Sequence, residues 1–469
     1  MERTGFFNRF RSHYIGDRAF YRAVIALVIP LVIQQGITSF VNLLDNVMVG
    51  ALCTESISGV AIVNQLIFVF NLTIFGCLSG ASIFSAQYAG QKDEDGIRRC
   101  FRFKMIAGMA ISIGAILLFL FYGEGLIDLY LNKETNSAEA LALTMSEAKG
   151  YMSIILWGLI PFMLTQVYGS TLRETGATLP PMKASVLSIL VNLVLNYLLI
   201  YGKFGFPAMG VRGAALATVI ARFVEIVYLA VHTYRHLDRY PYMKKALSSL
   251  SIPWDLVKRI CVTGSPLLVN EFLWSSGMAV INQCYSVRGL QVVAAVNITS
   301  TVWQLFAIIM FAMGSAVSIM VGQKLGAGDI PGARDTDRKL LFATVVVHLA
   351  IGGLIVALSG LIPQIYNVEQ TVRDMTSGML IVAGCVLWLH SFTHAAYFTL
   401  RSGGRTMMTF LFDSVFTWVV SLPLAFVLCN YTELGVIAIY ACLQSTDLIK
   451  VAIAVPLLRS GTWARNVIG

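Results

Sequence analysis

Apolar runs of about twenty residues divide the chain into twelve segments. They fall at 22–50, 57–86, 100–122, 149–172, 183–202 and 210–232, and again at 258–285, 292–320, 339–361, 374–399, 406–428 and 434–456. At 1.5 Å per residue, a helix of this length crosses the roughly 30 Å hydrocarbon layer of a bilayer. The chain also repeats a loop signature. Gln87, Gly90, Asp93, Gly96, Arg98 and Arg102 recur as Gln323, Gly326, Asp329, Gly332, Arg334 and Arg338, each 236 positions later, and Pro30 pairs with Pro266 at the same offset. Thr171-Leu172-Arg173-x-x-Gly176-x-Thr178 returns as Thr399-Leu400-Arg401-x-x-Gly404-x-Thr406, 228 positions on. Six spans per repeat place matching elements on the same side of the membrane, so the two halves are parallel copies. The predicted fold is an all-α polytopic membrane protein of twelve transmembrane helices in two parallel-repeat six-helix lobes. Residues 1–232 form the N-lobe, 233–257 a linker and 258–469 the C-lobe. This architecture points to a transporter with its site between or within the lobes.

Composition agrees with that reading. Hydrophobic residues make up 57% of the chain and charged residues 13%, with a mean hydropathy of +0.73, which excludes a single soluble core. The net charge of +9 does not imply nucleic acid, because the basic residues fall in alternate loops rather than in one stripe. On the side holding both termini there are 27 of the 34 lysines and arginines, against six on the other side and Arg222 within a span. The positive-inside rule therefore puts both termini and the linker in the cytoplasm. No Cys-x-x-Cys occurs among the eight cysteines, which read as reduced packing residues, and the first twenty residues lack the pattern of a cleaved signal. The long outer segment from Gly123 to Lys149 is acidic, and its Leu126, Ile127, Leu129 and Leu131 suggest a short surface helix.

Charges inside spans single out candidate chemistry, since each costs at least about 2.5–3.5 kcal/mol on insertion scales. Arg222 and Glu225 stand three apart on span 6, as do Asp447 and Lys450 on span 12, so each pair is expected to neutralise itself on one helical face. Asp45, Glu271 and Asp413 have no basic residue three or four positions away and are the stronger functional candidates. Glu271 lies about thirteen residues, or about 20 Å, into span 7, near the bilayer midplane. Its repeat counterpart is Gln35, next to Gln34 as Glu271 is next to Asn270. The structural alternative for each acid is a protonated group bonded within the bundle. Asn192 and Asn196 lie one turn apart on span 5 and Thr218 lies on span 6, consistent with a polar site or with interhelical hydrogen bonds. His390 and His394 on span 10 have a metal-like spacing, but no carboxylate stands near them in sequence, so no metal site is assigned. No nucleophile cluster or phosphate loop supports a membrane-embedded enzyme.

From about Ala19 to Leu458 the sequence resembles the MATE family, the multidrug and toxic compound extrusion transporters, of bacterial type. The resemblance is carried by Pro30 to Gly50 with Asp45, Gln87-Tyr88-Ala89-Gly90-Gln91-Lys92-Asp93, Asn192-Leu193-Val194-Leu195-Asn196-Tyr197, Gly210 to Thr218, and Pro266 to Trp274. It implies a cleft between two six-helix lobes, opening alternately to each side, and export of amphipathic, often cationic compounds driven by inward Na+ or H+. No other cofactor is implied. Asp45, Asn192, Asn196 and Thr218 match an N-lobe cation site of some members, which carry an aspartate where this chain has Asn196. Glu271 matches the family's acid on span 7, and Asp413 followed by Trp418 resembles one bacterial branch. An acid expected on span 10 in other branches is missing, His390 and His394 occupying the interior. The resulting expectation is an antiporter with Glu271 and Asp413 as a C-lobe coupling site and Asp45 assisting. Gln34, Gln35, Asn270, Trp274, His390 and His394 are its cleft candidates. A multi-pass protein of the bacterial inner membrane, monomeric and surrounded by lipid, is expected. A lipid-precursor flippase is the alternative.

Overall fold

The computed structural model describes residues 11–50, Leu52, 54–131 and 137–469; Arg3, Arg9, Cys53, Lys133 and the side chain of Asn42 lie outside the described residues. Among those described, the regular structure is helical, with no strand. Six rods come from the first half: α1 (Arg18–Gly50), α2 (Thr54–Gln91), α3 (Glu94–Asp128), α4 (Ala138–Glu174), α5 (Leu179–Tyr201) and α6 (Val211–Arg235). Six more follow: α7 (Trp254–Ser286), α8 (Leu290–Gly326), α9 (Ile330–Leu358), α10 (Gln370–Ser402), α11 (Thr406–Tyr431) and α12 (Val436–Ser460). Eleven helices among the described residues are long and apolar enough to cross a membrane; α7, 33 residues long with Asn270 and Glu271 inside it, is the further rod.

The outer segment between spans 3 and 4 differs from expectation. Leu126 and Ile127 belong to α3 itself, with Ile127 fully buried, and α4 begins already at Ala138, where Ser137 accepts from the Ala140 amide. An ion pair between Lys149 and Glu124 joins the two extended helices, and Gly123 lies close against Met152. Lengthening both helices satisfies their backbone groups internally, which a separate surface helix would not do as fully.

The chain separates into two compact units. One holds residues 33–85 and 93–264; the other holds 1–32, 86–92 and 265–469. These limits depart from the sequence division at 232 and 258: residues 1–32 and 86–92 cluster with the C-terminal unit, and 233–264 with the N-terminal one. Both α1 and α7 contain a proline, Pro30 and Pro266, and each passes from one unit to the other within three residues of it. In the N-terminal unit α5 packs along α6, and both parts of α4 lie on α6. In the C-terminal unit α10 packs on α8, α9 and α12, around buried Met379, Ala383, Ala295 and Ile439.

Most positions of the repeated signature have a physical role. Asp93 and Asp329 cap α3 and α9 by accepting from the amides of Gly96 and Gly332, at 3.0 and 2.9 Å. The Lys324 ammonium and the Gly332 amide hold the exposed Asp329 carboxyl below the usual carboxylate range. Gly90 and Gly326 face each other's repeat reciprocally: a Cβ on Gly90 would stand 1.8 Å from the Gln323 carbonyl oxygen, and one on Gly326 would stand 1.8 Å from that of Gln87. Arg98 and Arg102 fasten the linker in the N-terminal unit. Arg98 donates to the Tyr242 and Pro241 carbonyls, and Arg102 to those of Ala246, Lys245 and Ser251. Burial pushes the Tyr242 phenol above its ordinary range. In the C-terminal unit, Arg334 donates to the carbonyl of Gly461, just past α12. Gln87 donates to the Ser402 and Arg465 carbonyls and accepts from the Val467 amide.

Candidate functional site

In the N-terminal unit, α1, α5 and α6 bring the four expected polar residues together. Asn192 and Asn196 lie one turn apart on the buried face of α5, so both amides point the same way. Asn196 donates to Asp45 Oδ1 at 2.6 Å and to Asn192 Oδ1 at 3.2 Å, and Asn192 donates to Thr218 Oγ1 at 3.3 Å. In its other amide orientation, Asn192 places its nitrogen 3.2 Å from both Asp45 oxygens. The cluster offers one carboxylate, two amide oxygens and a hydroxyl, a donor set of hard oxygens.

A second polar chain crosses the same unit. Gln34 donates to Ser185 at 2.7 Å, and Ser185 donates to Glu225 at 2.5 Å. Arg222 does not close on Glu225 as its three-residue spacing suggests. It donates to the Gly158 carbonyl at 3.1 Å, at the end of the 3-10 turn Leu156–Gly158 within α4, and lies over the Phe162 ring. Gln35 is exposed, unlike its neighbour.

In the C-terminal unit, α7 meets α11. Pro423 has no amide hydrogen and its ring crowds the Val419 carbonyl, within the second of two widened stretches of α11. Leu411–Val415 and Thr417–Ser421 are π-helical, and Asp413 sits within the first of these stretches. Asn270 donates to Asp413 Oδ2 at 3.1 Å, while Ser414 donates to the backbone and side-chain oxygens of Asn270 at 2.8 and 2.7 Å. Trp418 donates to the Leu273 carbonyl at 2.8 Å, and Trp274 is partly exposed one residue on. Glu271 is half-buried and makes no hydrogen bond or ion pair among the described residues; the charges acting on it are Arg401 and Asp413.

Asp413 is not the isolated acid that its local sequence suggests. Lys450 of α12 lies 3.7 Å from it and 3.6 Å from Asp447, so the expected Asp447–Lys450 pair forms and extends to Asp413. His390 also gains a carboxylate, with Nδ1 3.0 Å from Asp447, to which Thr393 donates at 3.0 Å. The partners lie 37 or more residues apart in sequence, so helical spacing carries no trace of them. His394 turns elsewhere, against Phe311, Phe398 and Gly314, which separates the two histidines. Among the described residues no cluster of three histidine, cysteine or carboxylate side chains is placed to hold a metal. Sequence reasoning passed over Arg401, although the repeat had marked it. Arg173, its counterpart, acts on Glu225 alongside the nearer-acting Arg222, as Arg401 acts on Glu271.

A family model described as MatE matches residues 30–198 and 266–427, which include Asp45, Asn192, Asn196, Glu271 and Asp413. The chain belongs to the MatE family. It is 24% identical over 449 residues to the "Probable multidrug resistance protein NorM" of Thermotoga maritima, covering 95% of this chain and 94% of that one. It is 26% identical to the multidrug resistance protein MdtK of Edwardsiella ictaluri, over 87% of each. Among solved structures it resembles an outward-facing multidrug resistance MATE family transporter, with a TM-score of 0.82 at 20% identity over 95% and 96% of the two chains. This MATE protein is therefore a multi-pass membrane protein with the family's all-helical fold.

Proposed function

We propose that this MATE protein exports amphipathic, often cationic small molecules by alternating access, driven by inward flow of a cation, with both termini cytoplasmic. The observation that carries the reading is Glu271, a half-buried acid deep in α7, one residue from the amide that holds Asp413. Such a carboxylate is retained against a cost of several kcal/mol, and it has no ion pair within 4 Å among the described residues to neutralise it. The Lys450 ammonium beside Asp413 repels a second fixed cation, which favours a proton over Na+ at this acid pair. The oxygen cluster around Asp45 supports a second reading, in which Na+ binds the N-terminal unit.

Counter-flow in proteoliposomes separates the two readings, with pH and Na+ gradients imposed in turn while a fluorescent cation is followed. Glu271→Gln is expected to fold, to bind substrate and to lose uphill efflux under a pH gradient. Full efflux by that variant at normal expression would refute the assignment to Glu271.

A further inference from the structure

We propose that the C-terminal unit carries a binding site for one anionic phospholipid at the ends of α9 and α12, separate from the transport residues. A cavity of about 540 Å³ opens there, beside the start of α9 and the last turn of α12. Three guanidinium groups reach it, Arg334 and Arg338 from α9 and Arg459 from α12. Its inner wall is apolar, made by Leu341, Val345, Phe392, Val455 and Leu458, with Trp463 buried beside it. The one carboxylate that lines it, Asp337, is buried and already accepts from the Thr399 hydroxyl at 2.5 Å, so the net charge of the mouth is positive.

The comparison between repeats shows that these arginines have donors to spare. A guanidinium has five N–H groups. Arg98 and Arg102 direct theirs at five linker carbonyls and at Asp95. Their counterparts do less within the protein: Arg334 bonds the Gly461 carbonyl and Arg338 bonds the His13 ring. Arg459 is exposed and makes no hydrogen bond or ion pair among the described residues. A phosphate diester accepts from several guanidinium groups at once, and acyl chains match an apolar wall continuous with membrane-spanning helices. Position argues for a lipid over a free anion, since the site lies where α9 begins and α12 ends, at headgroup level.

Native mass spectrometry of the purified full chain, titrated with dioleoylphosphatidylglycerol or dioleoylphosphatidylcholine, tests the site. Phosphatidylglycerol is expected to bind in preference. Arg459→Gln, which disturbs no bond within the protein, should weaken phosphatidylglycerol about fivefold and leave phosphatidylcholine unchanged, the factor expected for one basic residue near an anionic headgroup. Val345→Trp fills the apolar wall without touching the charges and should abolish the preference, while millimolar inorganic phosphate should not displace the lipid. Wild-type phosphatidylglycerol affinity in either variant, or displacement by phosphate alone, would overturn the proposal.

Discussion

Lys450→Met removes the cation that two carboxylates share, and its cost follows from the geometry. The ammonium lies 3.7 Å from Asp413 and 3.6 Å from Asp447, and 5.1 Å from the centre of the Phe416 ring. At such separations each ion pair is worth about 4 kcal/mol at an effective dielectric near 20, before desolvation is charged against it. Only 13% of the lysine side chain and 10% of that of Asp447 are exposed, so desolvation is large and the pairs contribute little net stability. Removing one member is another matter, because buried Asp447 then keeps only His390 and Thr393 as partners and half-buried Asp413 only the Asn270 amide, at a cost of up to about 3–5 kcal/mol. Lys450→Met is therefore expected to be strongly destabilised in unfolding of the purified full chain in micelles. Lys450→Met/Asp447→Asn restores part of the charge balance and should recover a substantial fraction of the loss. If the single variant lies within about 1 kcal/mol of wild type, or the double variant is worse by the sum of two independent losses, the cluster does not act as one electrostatic unit.

Asp45→Asn should slow transport in proteoliposomes yet leave ion-triggered substrate release measurable; complete loss of release there, with release intact in Glu271→Gln, would move coupling to the N-terminal unit. Gly90→Ala should cost about 1–3 kcal/mol or more in thermal unfolding, because its methyl would meet the Gln323 carbonyl at 1.8 Å, whereas Gly114→Ala, with nothing within 4 Å, should be neutral or stabilising. Equal stability of these two alanine variants would contradict the crossing. A cysteine at Ser248 should escape impermeant labelling in intact cells and react in inverted vesicles; labelling from outside would reverse the orientation.

The fold was legible because membrane spans write themselves in runs of apolar residues, and because duplication repeated Asp93, Arg98 and Gly90 at one offset. The N-terminal polar cluster was legible in part: the four-residue spacing of Asn192 and Asn196 puts two amides on one face of α5. What the sequence concealed were partnerships across helices. Nothing local to Asp413 announces Lys450, and nothing local to His390 announces Asp447. The expected Arg222–Glu225 ion pair does not close for the same reason, since the carbonyl of Gly158 and the hydroxyl of Ser185 lie on other helices. Spacing along a helix reports which groups are neighbours on that helix, and the bundle decides whether something nearer exists.

The Gln87 amide has a consequence for the order in which the protein is made. Its side chain is fully buried, and its bonds run to residues 402, 465 and 467, up to 380 positions later in the chain. While the ribosome is still adding the second half, those partners do not exist, and a buried amide with no partner costs about 1–3 kcal/mol. The neighbourhood of Gln87 can therefore reach its final form only after residues 465–467 have left the exit tunnel. A product cut short before that point would leave the buried Gln87 amide without two of its three partners.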